Sequence, residues 1–154
     1  MSVPGSLAGA GGDWTGEGTL YLPWRTPSEF TYASTASVRP VAKGFLRVDY
    51  TWSHEGEPHE GLLLLTDARQ DGAVSAVWMD SWHQSQSFLL SAGRGDEAGG
   101  SVAVLGSYPA PPDPDWQWRT VVTFEGNRLE LTMYNISPGG EEMLAVRNRY
   151  ERRS

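Results

Sequence analysis

The residues best suited to chemistry lie in one short stretch, residues 73–83, which reads AVSAVWMDSWH. Its valines and tryptophans favour a strand, and alternate positions of a strand share a face, which places Trp78, Asp80 and Trp82 on one face and His83 on the other. An acid between two tryptophans needs a partner if it is buried, because an unpaired buried charge is unfavourable. Two interpretations are open: Asp80 is structural, near the strand end, or the four residues line the mouth of a pocket.

Asp80 and His83 also form a candidate acid–base pair, since a carboxylate can orient and charge an imidazole. On a regular strand positions 80 and 83 point to opposite faces, so the pair would require a bulge. Ser81 or Ser85 would complete a Ser-His-Asp set, but no nucleophile-elbow motif surrounds either serine. We therefore assign no catalytic residue and favour a non-enzymatic function.

Metal binding would require two or three convergent ligands. His54 and His59 flank a predicted turn that also carries Glu55, Glu57 and Glu60. This pattern is typical of an exposed acidic hairpin tip, and the chain has no cysteine to supply a thiolate. The sequence thus predicts no metal site and no cofactor.

The elements that position these residues are all strands. About ten short strand-like runs recur between Gly, Pro, Asn and Asp turn signals, and no helical stripe interrupts them. We expect a flexible leader over residues 1–12 and one all-β domain over residues 13–151. A meander of ten antiparallel strands tends to close, so the sequence predicts an up-and-down barrel, with its first strand beside its last and room for one small ligand.

Several faces of these strands are clear from alternation. Phe88 and Leu90 are in phase in the sixth strand, and residues 109–115, PAPPDPD, are expected to form a stiff exposed connection. The tryptophans fit either a packed interior or one wall of a cavity. The predicted ligand-binding residues are the aromatic and polar groups on the inward faces: Tyr50, Trp52, Trp78, Asp80, Trp82, His83, Trp118, Asn148 and Tyr150.

Composition excludes some partners. A net charge of −7 disfavours nucleic-acid binding, which requires a basic surface. No apolar run approaches the roughly 20 residues of a membrane span, and the first residues lack the pattern of a signal peptide. We expect a cytoplasmic monomer or homodimer, with assembly through exposed apolar strand faces as a further hypothesis.

The opening Trp-x-Gly-x-Gly, formed by Trp14, Gly16 and Gly18, leads into the ten-strand meander. This combination resembles the calycins, especially the fatty-acid-binding-protein-like and nitrobindin-like barrels. The segments WMDSWH and GFLRVDYTW are similar to an uncharacterised bacterial family of that superfamily. The resemblance covers residues 13–150 and implies a lipocalin-like barrel that holds a ligand in its interior.

Two family chemistries can be compared with this chain. Fatty-acid-binding proteins hold a carboxylate with Arg-x-Tyr in the last strand, whereas the corresponding positions here are Asn148 and Tyr150. Nitrobindin-like proteins ligate haem through a histidine late in the chain, whereas the last histidine here is His83. We therefore expect binding of a small, largely apolar ligand, with two alternatives: an enzyme using Asp80 and His83, or a haem-binding nitrobindin-like protein.

Overall fold

Ten antiparallel strands follow one another along the chain, separated by short turns. The computed structural model describes residue 7 and residues 9–66, 71–96 and 100–153, and these contain no α-helix. The strands are β1 (Gly12–Tyr21), β2 (Glu29–Val41), β3 (Phe45–His54), β4 (Glu57–Thr66), β5 (Ala73–Asp80), β6 (Gln84–Asp96), β7 (Ser101–Ala110), β8 (Asp113–Glu125), β9 (Arg128–Ile136) and β10 (Glu142–Arg152).

The sheet closes on itself. Each strand pairs with its neighbours in sequence, and β1 pairs with β10, where Gly16 lies opposite Tyr150. Closure removes the two edges that an open sheet would expose. The prediction of an all-β, ten-stranded antiparallel barrel is confirmed.

Side chains alternate between the barrel interior and the outer surface. In β3, Leu46, Val48, Tyr50 and Trp52 are all buried, as their alternation predicts. Gly61 on β4 faces Tyr50 on β3, and a Cβ at Gly61 would overlap the tyrosine ring. Glycine in this strand therefore makes room for a large aromatic ring in the interior.

Described residues just ahead of β1 pack into one end of the barrel. Leu7 and Ala10 are buried in the core, and the indole Nε1 of Trp14 donates to the Ala10 carbonyl at 3.0 Å. Arg152 lies over the Trp14 ring, at 4.4 Å from its centroid, and donates to two carbonyls of this segment. We expected a flexible leader over residues 1–12, of which residues 1–6 and 8 lie outside the described residues, whereas Leu7 and Ala10 pack.

The structure corrects two details of the predicted strands and assigns a face that the prediction left open. β5 ends at Asp80, so Trp82 lies in the following turn rather than on the strand. Phe88 and Leu90 are in phase as predicted, and they face outward at 60% and 64% exposure, whereas Leu89, opposite the buried Trp78, faces inward. The proline-rich segment is mostly strand: β7 continues to Ala110, β8 begins at Asp113, and only residues 111 and 112 form the turn.

No helix among the described residues combines the length and apolar character needed to cross a membrane.

Candidate functional site

The end of the barrel opposite the packed leader segment contains a pocket of about 590 Å³, which we call the mouth pocket. It is framed by the β1–β2, β5–β6, β7–β8 and β9–β10 connections and the strand ends beside them. Its wall is mainly aromatic and aliphatic: Leu20, Tyr21, Leu22, Pro23, Trp24, Trp78, Trp82, His83, Gln84, Tyr108, Trp116, Trp118, Asn135, Met143, Leu144 and Ala145.

Indole rings surround one histidine at this pocket. Trp78 and Trp118 stack with a centroid distance of 5.1 Å and an interplanar angle of 13°. The His83 ring lies 4.7 Å from Trp82, 5.4 Å from Trp118 and 5.5 Å from Trp52, measured between centroids. Aromatic rings at these distances stabilise one another beyond simple burial.

Asp80 is the main polar anchor behind this wall. It is 3% exposed and accepts hydrogen bonds from the Tyr50 hydroxyl at 2.6 Å and the Trp52 indole Nε1 at 3.2 Å. Its other oxygen, Oδ1, accepts from the backbone N–H groups of Trp82 and His83 at 2.9 and 3.1 Å. Both side-chain donors come from β3, which β4 separates from β5, and such hydroxyl and indole partners agree with the structural interpretation of Asp80.

The turn after β5 brings Asp80 and His83 together. His83 Nδ1 lies 3.4 Å from Asp80 Oδ1, although a regular strand would have separated the two side chains. The expectation of opposite faces is wrong because the strand ends at Asp80 and the chain turns through Ser81 and Trp82. Burial opposes ionisation of this carboxyl, but His83, Tyr50 and the Trp82 backbone outweigh it and hold the pKa of Asp80 below its ordinary value.

Tyr50 connects the pocket wall to this anchor. Its hydroxyl accepts from the Trp78 indole Nε1 at 2.8 Å while it donates to Asp80. Burial and the neighbouring Asp80 carboxylate raise the pKa of Tyr50 well above its ordinary value. A small void of about 10 Å³ lies beneath the mouth pocket and is lined by Tyr32, Tyr50, Trp52, Asp80, His83, Met133 and Val146.

Asn148 and Tyr150 belong to a separate polar cluster in the interior. The Tyr32 hydroxyl donates to Asn148 Oδ1 at 2.5 Å, and the hydroxyls of Ser34 and Tyr150 share a hydrogen bond of 2.7 Å. Both β10 residues are buried as predicted, but neither lines the mouth pocket.

The nine predicted site residues therefore occupy three positions. Trp78, Trp82, His83 and Trp118 line the mouth pocket. Tyr50, Trp52 and Asp80 lie beneath it, and Asn148 and Tyr150 lie in the other cluster.

The predicted ligand-binding residues leave out several residues of the pocket wall, notably Tyr108, Trp116 and Asn135. Trp116, which shares a strand face with Trp118, is among the tryptophans predicted to form either a packed interior or one wall of a cavity, and it lies in the pocket wall. Finding Tyr108 and Asn135 requires the strand register, which places Tyr108 opposite Trp116 and Asn135 opposite Trp118.

The turn histidines are not arranged for a metal. His54 packs against the rings of Phe30 and Trp82 and lies 3.1 Å from Glu55 Oε1, so it is less exposed than the predicted hairpin tip. His59 Nδ1 shares a hydrogen bond of 2.9 Å with Ser81 Oγ. The part of the chain that the structure describes contains no group of three His, Asp or Glu side chains able to hold a metal ion.

Haem does not fit these residues in the manner of a nitrobindin-like barrel. The inward positions of β10 hold Asn148 and Tyr150 rather than a histidine. His83 is the histidine that lines the mouth pocket, and it lies on the β5–β6 turn, with the rings of Trp52, Trp82 and Trp118 at 4.7–5.5 Å from its own.

Comparison with known proteins agrees with the barrel and names no activity. The family model with the description "Protein of unknown function (DUF1579)" matches residues 5–152. A similar solved structure is that of Rv2717c from M. tuberculosis, with 18% sequence identity, a TM-score of 0.67, and coverage of 97% of this chain and 98% of that one. At this sequence identity the similarity shows a shared fold only. No curated protein matches the sequence significantly.

Proposed function

Because the chain belongs to the DUF1579 family, whose description gives no activity, we propose its function from the mouth pocket: it binds a small, largely apolar ligand there without chemically altering it. The observation that carries the proposal is the pocket itself. A concave site of about 590 Å³ with a mainly aromatic wall and a few polar groups has the size and composition of typical small-molecule sites.

The support behind the wall favours binding. Trp78 is held by Tyr50, Tyr50 by Asp80, and Asp80 by the backbone of the turn that carries Trp82 and His83. A wall fixed in this way loses little conformational freedom when a ligand enters, and preorganisation of this kind increases affinity.

The opening Trp14, Gly16 and Gly18 and the ten-strand order also support a place for this barrel among the calycins. Ligand binding inside or at the mouth of the barrel is in keeping with that placement.

Two measurements test the proposal. Mass spectrometry of the material released by denaturing the purified protein should detect a small apolar molecule, and titration with the neutral dye Nile red should show saturable binding. Trp82→Ala should weaken dye binding, because Trp82 lies in the pocket wall at 38% exposure. Phe88→Ala is the matched control, since Phe88 is an exposed ring on the outer surface. Equal weakening by both substitutions, or no saturable binding, would contradict the proposal.

One observation favours catalysis as a second candidate function. The Asp80 carboxylate and the His83 imidazole lie 3.4 Å apart, and His83 lines the mouth pocket. A general base at a pocket wall could act on a bound small molecule. Turnover of such a molecule that disappears in His83→Gln, while Nile red binding persists, would favour the enzyme over the binding protein.

A further inference from the structure

We propose that the ligand of the mouth pocket is an uncharged, flat aromatic molecule whose hydrogen-bond acceptor faces the wall formed by β7, β8 and β9. This inference rests on the proposed function and specifies the chemistry of the ligand. It follows from three features of the wall: its unpartnered donors, its lack of Asp, Glu, Lys and Arg, and its arrangement of rings.

The unpartnered donors lie on neighbouring strands. The indole N–H groups of Trp116 and Trp118 are shielded from water and have no hydrogen-bond partner among the described residues. Trp118 is itself 7% exposed. Buried donors in proteins nearly always have partners, so two orphaned indoles in one pocket wall call for an acceptor from outside the chain.

Asn135 adds a third donor beside them. It lies opposite Trp118 in the β8–β9 register, and its Oδ1 accepts from the Tyr108 hydroxyl at 2.5 Å. That hydrogen bond orients the amide and leaves its N–H₂ group as a donor. A carbonyl or a ring nitrogen on the ligand supplies the acceptor that the indole N–H groups lack.

The wall holds no carboxylate, ammonium or guanidinium group to receive an ion. None of the residues that line the mouth pocket is Asp, Glu, Lys or Arg, and all of them belong to the described part of the chain. The imidazole in the wall, that of His83, already faces a carboxylate, since its Nδ1 lies 3.4 Å from Asp80 Oδ1. Transfer of a carboxylate or an ammonium into such an apolar site without an ion partner is strongly unfavourable. An uncharged ligand avoids this desolvation.

The rings of the wall fit a planar molecule. Trp78 and Trp118 form a parallel stack at the base, whereas Trp24 and Trp82 lie at the rim and are 74% and 38% exposed. Large rings left open at the rim of an aromatic pocket offer faces and edges for stacking on another ring system.

Four probes separate these features by calorimetric titration of the full chain. The aromatic probes are 2-acetylnaphthalene, which has an acceptor, 2-ethylnaphthalene, which has none, and 2-naphthoate, which is an anion. 1-Decanol serves as an apolar molecule without a ring. We expect 2-acetylnaphthalene to bind about 10-fold more tightly than 2-ethylnaphthalene, because only the ketone satisfies a buried donor. 2-Naphthoate and 1-decanol should bind more weakly than the ketone.

Trp118→Phe removes the N–H group and keeps an aromatic ring. It should abolish the preference for the ketone while 2-ethylnaphthalene still binds, and that retained binding shows that the variant is folded. Asn135→Leu should reduce the same preference in a second, independent variant.

The outcomes separate the inference about ligand chemistry from the proposed function of ligand binding. Equal binding of the ketone and the hydrocarbon, or tightest binding of 2-naphthoate, would overturn the inference about ligand chemistry and leave the proposed function intact. Binding of 1-decanol alone would likewise overturn the inference about ligand chemistry and leave the proposed function intact. Failure of all four probes to bind would overturn the proposed function as well.

Discussion

Asp80→Asn is the substitution that best separates a structural carboxylate from one kept for ligand binding. It preserves the shape of the side chain and replaces one of two acceptor oxygens with an N–H₂ group. In the folded protein both oxygens are used: Oδ2 accepts from Tyr50 and Trp52, and Oδ1 accepts from two backbone N–H groups. Neither orientation of the amide can therefore satisfy all four donors.

The magnitude follows from the donors that lose their acceptor. With the amide oxygen towards the turn, the Tyr50 hydroxyl and the Trp52 indole face an N–H₂ group, and with the amide reversed the two backbone N–H groups do so. Each buried donor left without a partner costs about 1–3 kcal/mol. We therefore expect Asp80→Asn to lower the free energy of unfolding by about 3 kcal/mol or more, a large part of the 5–15 kcal/mol typical of a domain.

Urea unfolding followed by tryptophan fluorescence and circular dichroism measures this loss. The matched control is Asp49→Asn, since Asp49 lies on the outer face of β3 and pairs with Arg47 at the surface. That pair should contribute no more than about 1 kcal/mol. A loss for Asp80→Asn as small as the control would refute the structural role of Asp80.

The dependence of the unfolding free energy on acidic pH provides a second test of Asp80→Asn. Because the pKa of Asp80 is lowered in the fold, its contribution to stability is present above the ordinary carboxyl range near about pH 4 and is lost as the pH falls. The variant should lack this part of the acid-induced loss. Identical pH profiles for the two proteins would contradict the assignment.

Four other predictions follow from the barrel. Gly61→Ala should lower the free energy of unfolding by about 1–3 kcal/mol, because the added Cβ overlaps the buried Tyr50 ring. The control Gly44→Ala, where the added Cβ meets open space, should change that free energy by less than about 1 kcal/mol. Urea unfolding of the two variants measures the difference. In the same assay Arg152→Ala should lower the free energy of unfolding by about 1–3 kcal/mol, because it removes the contacts of Arg152 with the residues before β1. The control Arg149→Ala should change that free energy by no more than about 0.5 kcal/mol. Equal effects of the two substitutions would contradict this role of Arg152. Burial raises the pKa of Tyr150 to about 12, so the contribution of Tyr150 to stability should be present below about pH 10 and be lost as the pH rises through about 12. Tyrosinate absorbance that develops only as the protein unfolds would agree with this prediction, and ionisation of Tyr150 in the folded protein would contradict it. Ferric haem should produce no sharp stoichiometric shift of the Soret band, and such a shift would revive the haem alternative.

The interior of the barrel could be predicted because alternation in a strand depends only on neighbouring residues. Tyr50, Trp52, Trp78 and Asp80 are buried on the faces that the sequence assigns to them. The prediction of ten strands and of the closure between β1 and β10 follows from turn signals and from the tendency of long antiparallel sheets to close.

Strand register and turns limited what could be predicted about the remaining features of the fold and the site. The face that Phe88 and Leu90 share depends on the register of β5 and β6, in which Leu89 lies opposite the buried Trp78, and no alternation pattern reveals that register. The contact between Asp80 and His83 depends on a turn that begins one residue after the strand ends. Grouping Tyr108 and Asn135 with the tryptophans requires register across three strands, since these residues are far apart in the sequence.

The central claim, that the mouth pocket binds a small and largely apolar ligand, is tested most directly by the indole N–H resonances of the protein. The chain has seven tryptophans, and in the structure Trp14 at the opposite end of the barrel donates to Ala10, whereas Trp116 and Trp118 lie in the pocket wall. In a two-dimensional proton–nitrogen NMR titration with 2-acetylnaphthalene, the resonances of Trp116 and Trp118 should shift and saturate while that of Trp14 stays fixed. Unchanged pocket resonances in this titration and in matching titrations with 2-ethylnaphthalene, 2-naphthoate and 1-decanol, or shifts centred on Trp14, would contradict the account.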